Sequence, residues 1–110
     1  MECLCKIKTV FKKIHEFEQK LQTGHNVTIN EAMVICCLCG TKKSSGGIAK
    51  ETEISLSRTS RVLLSLEQKG YVKRSLGDKD KRQMMFVLSE AGKMKLAEIN
   101  SLNVNLNLEI

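Results

Sequence analysis

A chain of 110 residues, 42% of them hydrophobic, is long enough for one compact domain that buries roughly 65% of its unfolded surface, and two domains are excluded. The longest apolar run, Ala32 to Cys39, has eight residues against the roughly 20 of a membrane span, and the N-terminal MECLCKIKTVFKK lacks a signal-peptide stretch, which predicts a cytoplasmic chain with no membrane partner. The net charge of +6 is uneven: residues 41–82 hold 11 Lys/Arg against 5 Asp/Glu while the other 68 residues hold 7 of each, which points to an anionic partner, and four aromatics (Phe11, Phe17, Tyr71, Phe86) are too few for a base-stacking single-strand binder.

In chain order, Leu4, Ile7, Phe11, Ile14 and Leu21 recur at helical steps, with Val10 and Phe17 widening the stripe. They predict a first helix to about Gln22, ended by Gly24. Thr28 and Glu31 have capping-box spacing and open a second helix over about 29–39. That helix is apolar all round and should be covered on several sides. Gly40 and TKKSSGG read as a turn and IAKETE (48–53) as a short helix. A longer helix follows from Leu56 to Lys69, with Thr59, Val62, Leu63 and Leu66 facing inward and Gly70 as its stop. Two helices joined this closely read as a helix-turn-helix.

From Tyr71 the apolar period shifts to two. YVKRSL and RQMMFVL, joined by the charged turn GDKDK, predict a β-hairpin. Ser89 caps a last helix from near Glu90, with Met94, Ala97, Ile99, Leu102 and Leu106 as candidate apolar positions. Residues 102–110 alternate apolar and polar, a strand pattern; a helix that frays toward its end is the reading adopted.

All four arginines, Arg58, Arg61, Arg74 and Arg82, fall in the basic segment. Their planar fork suits bidentate contact with phosphate and guanine. Ser57, Arg58, Ser60, Arg61 and Ser65 lie opposite the inward stripe of the 56–69 helix. Two arginines in its first turn oppose the helix dipole at about 0.3–1 kcal/mol each, an arrangement that an anionic partner explains and stability alone does not. Lys73, Arg74, Lys79, Lys81, Lys42 and Lys43 suit phosphate contacts, which position without specifying sequence.

Five cysteines, an odd number without an export signal, predict reduced thiols. Cys36, Cys37 and Cys39 share the most apolar helix and are read as inert packing. Cys5, with Lys6 and Lys8 close by, is the candidate redox thiol. His15 and His25 have no ligand-spaced partners and are read as surface residues. With no paired-carboxylate, nucleophile-base or phosphate-loop motif, the chain is not expected to be an enzyme, nor to hold a metal or cofactor.

ISLSRTSRVLLSLEQKGYVKR (54–74) followed by DKRQMMFVLSEAG (80–92) resembles the core signature of the multiple-antibiotic-resistance regulator (MarR) family. Leu66, Glu67 and Gly70 match the Leu-Glu-x-x-Gly that closes that family's recognition helix. Asp80 and Arg82 match its wing, with Lys81 between them, and Leu88, Ser89 and Gly92 match its Leu-Thr-x-x-Gly with Ser for Thr. The match covers about residues 28–92. It implies a mainly α fold with a small β-hairpin: a winged helix-turn-helix core over 28–92, with helical dimerisation extensions at 1–27 and 93–110. It further implies a sequence-specific regulator of transcription that binds double-stranded DNA at a palindromic operator as a homodimer. Arg82 would reach the minor groove, where a narrow groove concentrates negative potential, and Asp80 would orient Arg82. A small-molecule effector of unknown identity is also compatible with the resemblance. The chain is shorter than usual for the family at its C-terminal helical region. Rival readings are a thiol-based redox or metal-responsive regulator using the cysteines, and a winged helix used as a protein-interaction module, for which Leu64 and Leu76 are the candidate exposed apolar residues.

Overall fold

A computed structural model describes residues 2–77 and 83–102. Its elements are α1 (Glu2–His25), α2 (Ile29–Cys37), α3 (Ser45–Thr52), α4 (Leu56–Lys69), β1 (Val72–Leu76), β2 (Met84–Leu88) and α5 (Glu90–Asn100). None of the described helices is long and apolar enough to cross a membrane.

Short-range side-chain chemistry sets the helix ends. The Thr28 hydroxyl accepts from the Glu31 amide (3.1 Å) while the Thr28 amide donates to Glu31 Oε1 (2.9 Å), so the expected capping box is present. The Ser44, Ser55 and Ser89 hydroxyls cap α3, α4 and α5 by accepting from the Gly47, Arg58 and Gly92 amides. Gly70 closes α4 at φ +83, and the Tyr71 amide donates back to the Leu66 carbonyl (3.0 Å).

Three boundaries differ from expectation. α1 passes through Gly24 to His25, and Asn26 takes the left-handed conformation at φ +56, which asparagine tolerates better than most residues. α2 ends at Cys37, because the chain tightens over Leu38–Cys39 before Gly40 turns it at φ +67. α3 starts at Ser45 rather than Ile48, since the Ser44 cap draws Gly46 and Gly47 into its first turn.

The strands pair antiparallel with Val72 opposite Leu88, Arg74 opposite Phe86 and Leu76 opposite Met84. A third piece of backbone joins the sheet. Lys43, ahead of α3, exchanges both hydrogen bonds with Phe86 (3.2 and 2.8 Å) and ties the entry of the helix-turn-helix to the wing. Behind the sheet lies the core, built from Leu21, Val34, Ile35, Leu38, Ile48, Leu63, Leu66, Val72, Phe86, Leu88, Leu96 and Ile99 among others.

Ser89 and Gly92 lock α5 to the start of β1. The Ser89 hydroxyl donates to the Gly70 carbonyl (2.6 Å), the Ser89 amide donates to the Tyr71 carbonyl (3.0 Å), and a Cβ on Gly92 would overlap that same carbonyl oxygen. Only glycine permits this approach. On α5, Leu96 and Ile99 are buried and Leu102 is packed against the core, whereas Met94 and Ala97, expected on its apolar face, are exposed. Leu106 and the alternating run beyond Leu102 lie outside the described residues.

Candidate nucleic-acid interface

α4 divides cleanly into two faces. Thr59, Leu63 and Leu66 are buried against α2 and α3, with Val62 half-buried beside them. Ser57, Arg58, Ser60 and Arg61 are all exposed, and Leu64 and Gln68 continue the outward row. Neither Arg58 nor Arg61 has an ion-pair partner among the described residues. Two guanidinium groups without an ion-pair partner among the described residues therefore stand on the outward face of the first turns of α4.

The helix is braced from behind by a group that sequence reasoning assigned only to capping. Glu31 is 3% exposed. Its Oε1 accepts from Lys69 Nζ (2.8 Å) and its Oε2 from the Ser65 hydroxyl (2.9 Å), while Lys69 Nζ also donates to the Asn26 carbonyl (2.7 Å). Burial alone would raise the Glu31 carboxyl. The Lys69 ammonium, the Thr28 amide and the Ser65 hydroxyl outweigh it and hold the group below the ordinary carboxylate range. Ser65, expected on the DNA face, is half-buried and spends its hydroxyl on this network. A carboxylate inside the most apolar helix was the available signal, since such a group must find cations or donors.

On the hairpin, Lys73 is exposed and points to the side opposite Val72 and Arg74. Arg74 is placed differently from a free phosphate contact. Its Nε donates to Glu67 Oε2 on α4 (2.9 Å), its guanidinium lies 5.8 Å from the Phe86 ring centroid, and the Glu67 hydrogen bond raises its pKa further. Glu67, one of the residues carrying the family resemblance, thus has a physical role: it ties β1 to α4. Lys43 pairs with Glu51 of α3, and Lys42 Nζ reaches the Leu76 carbonyl (3.4 Å). Lys79, Asp80, Lys81 and Arg82 lie outside the described residues.

The thiols depart from the expectation of inert packing. Cys37 alone is buried; Cys36 and Cys39 are exposed, as are Cys3 and Cys5. The last turn of α2 has one side open, with Met33 also exposed. Burial, then the Glu51 hydrogen bond, pushes the Cys37 thiol up. His15 is exposed, and half-buried His25 lies 3.7 Å from Glu98.

No family model and no curated protein matches the chain. Solved structures do. The transcriptional regulator BldR from Sulfolobus solfataricus is 25% identical with a TM-score of 0.78, over 97% of this chain and 78% of that one. AbsC, a MarR-family transcriptional regulator from Streptomyces coelicolor, is 22% identical with a TM-score of 0.78, over 90% and 70%. A cysteine-to-serine mutant of MarR from E. coli, complexed with operator DNA, is 23% identical with a TM-score of 0.76, over 87% and 69%. The chain has the winged-helix fold of these MarR-family regulators.

Proposed function

We propose that this chain, built on the winged-helix fold of MarR-family regulators, is a transcriptional regulator that binds specific double-stranded DNA sequences. α4 enters the major groove and the hairpin flanks the minor groove. One observation carries the reading: the outward face of α4 presents Ser57, Arg58, Ser60 and Arg61 exposed, with both guanidinium groups unpaired among the described residues. Lys73 supplies a phosphate contact, Lys79 and Lys81 supply further phosphate contacts, and Arg82 supplies a minor-groove contact for which Asp80 orients it. Ser65 and Arg74 act one step back, since their polar atoms hold α4 to Glu31 and the wing to Glu67.

The chain acts as a homodimer. Leu4 and Phe11, 66% and 69% exposed, and Ile7 line an apolar face of α1 that the described residues do not cover. A monomer would expose that face to water, and a two-fold interface removes it. Residues 28–92 form the DNA-binding core of a single domain, with 1–27 and 93–110 as dimerising extensions.

The deciding experiment is selection of bound sequences from random duplex DNA. A palindrome with half-sites about 10 base pairs apart is the expected result. A second reading, a protein-interaction module, is favoured by exposed Leu76 and Met84, which sit opposite each other on the hairpin. Enrichment of no sequence would favour it.

A further inference from the structure

The five thiols are not equivalent. Cys3 and Cys5 lie two residues apart on α1, a spacing that turns side chains to different sides of a helix. Cys37 is buried, with its Sγ donating to Glu51 Oε2 (3.1 Å) and Lys43 Nζ 3.5 Å away. Cys36 and Cys39 differ from all three. Both are exposed, and the chain between them is a tightened turn in which the Cys39 amide donates to the Cys36 carbonyl (3.1 Å), while the Leu38 amide reaches the carbonyls of both Val34 and Ile35 (3.1 and 3.2 Å). In such an i to i+3 turn the side chains at i and i+3 eclipse each other, so these two thiols leave the end of α2 on one side.

We propose that Cys36 and Cys39 form a dithiol site for a soft, thiophilic metal or metalloid ion. Among the described residues no group of three or more His, Cys, Asp or Glu side chains converges, so the closed four-ligand centre that zinc requires is not built from them. Two adjacent thiolates instead suit a soft centre of low coordination number. Cys39 also borders an open cleft of about 350 Å³, whose apolar walls include Leu88, Leu96 and Ala97, and this gives an organic substituent on the ion a place to lie. With a trivalent aryl arsenical the balance is simple. Two As–S bonds form, the oxygen on arsenic leaves as water with the two thiol protons, and no oxidation state changes. The site does not depend on DNA binding.

The test titrates the reduced full-length protein with phenylarsine oxide, adds excess glutathione to strip singly attached arsenic, and reads intact mass. One glutathione-resistant adduct per chain is expected. It should vanish in Cys36→Ser and in Cys39→Ser and persist in Cys37→Ser and in the Cys3→Ser/Cys5→Ser double variant, with circular dichroism showing each variant folded. A wild type without a resistant adduct, or an adduct that survives in either Cys36→Ser or Cys39→Ser, overturns the assignment.

Discussion

Glu31 joins the start of α2 to α4 through one carboxylate: it binds its own cap at Thr28 and both Ser65 and Lys69 of α4, and Lys69 in turn holds the Asn26 carbonyl. Replacing it with glutamine removes the charge that Lys69 needs, and Glu31→Gln should lose about 2–3 kcal/mol in denaturant unfolding near neutral pH. The pH dependence follows in sign. A carboxyl held below its unfolded value stabilises the fold above the unfolded value, and that contribution is lost as pH falls through the lower folded value. Wild type should therefore lose more stability than Glu31→Gln between neutral and strongly acidic pH; parallel losses would remove Glu31 from the network. Gly92→Ala should cost about 1–3 kcal/mol in the same assay, because the new methyl meets the Tyr71 carbonyl. Capping pairs such as Thr28 with Glu31 are legible in sequence because their partners lie three residues apart. The Ser65 and Lys69 contacts to Glu31 span 34 and 38 residues, and no local pattern encodes them.

Among elements, the proposed function divides the work of recognition between α4 and the hairpin. In the proposed complex a guanidinium on the outward face of α4 reads a base edge, whereas Lys73 on the hairpin meets only the DNA backbone. Arg61→Ala should cost about 1–3 kcal/mol of DNA affinity and relax preference at one position per half-site, while Lys73→Ala should weaken binding almost equally on all sequences. Binding curves on the selected site and its single-base variants separate the two outcomes. Equal, sequence-blind losses would take Arg61 out of the readout. The element order and the span of α4 were readable because apolar period, serine caps and Gly70 agree on them. The attachment of Lys43 to Phe86 was not, because a single-residue bridge leaves no periodicity to detect. The open side of the last α2 turn was hidden for the opposite reason, since the unbroken apolar run over residues 32–39 does not reveal which of its residues face outward.

At the scale of the whole molecule, symmetry and charge act together. α1 rests on the body near Leu21 and carries Leu4, Ile7 and Phe11 away from it. In the proposed dimer, pairing two such helices buries this face and sets the two copies of α4 about 34–36 Å apart, one turn of DNA. Sedimentation at micromolar concentration should give twice the chain mass of 12.4 kDa, and a Leu4→Glu/Phe11→Glu double variant should sediment as a folded monomer with weak DNA affinity. For the proposed dimer on DNA, the excess of +6 per chain would make phosphate contact the main source of affinity. The most direct check is the affinity of the full-length protein for its selected duplex, measured by fluorescence anisotropy across a series of salt concentrations. If the dimer neutralises about 8 to 10 phosphates, log affinity should fall against log salt with a slope of roughly −7 to −9, and an affinity that hardly changes with salt would contradict DNA binding as the function of this fold.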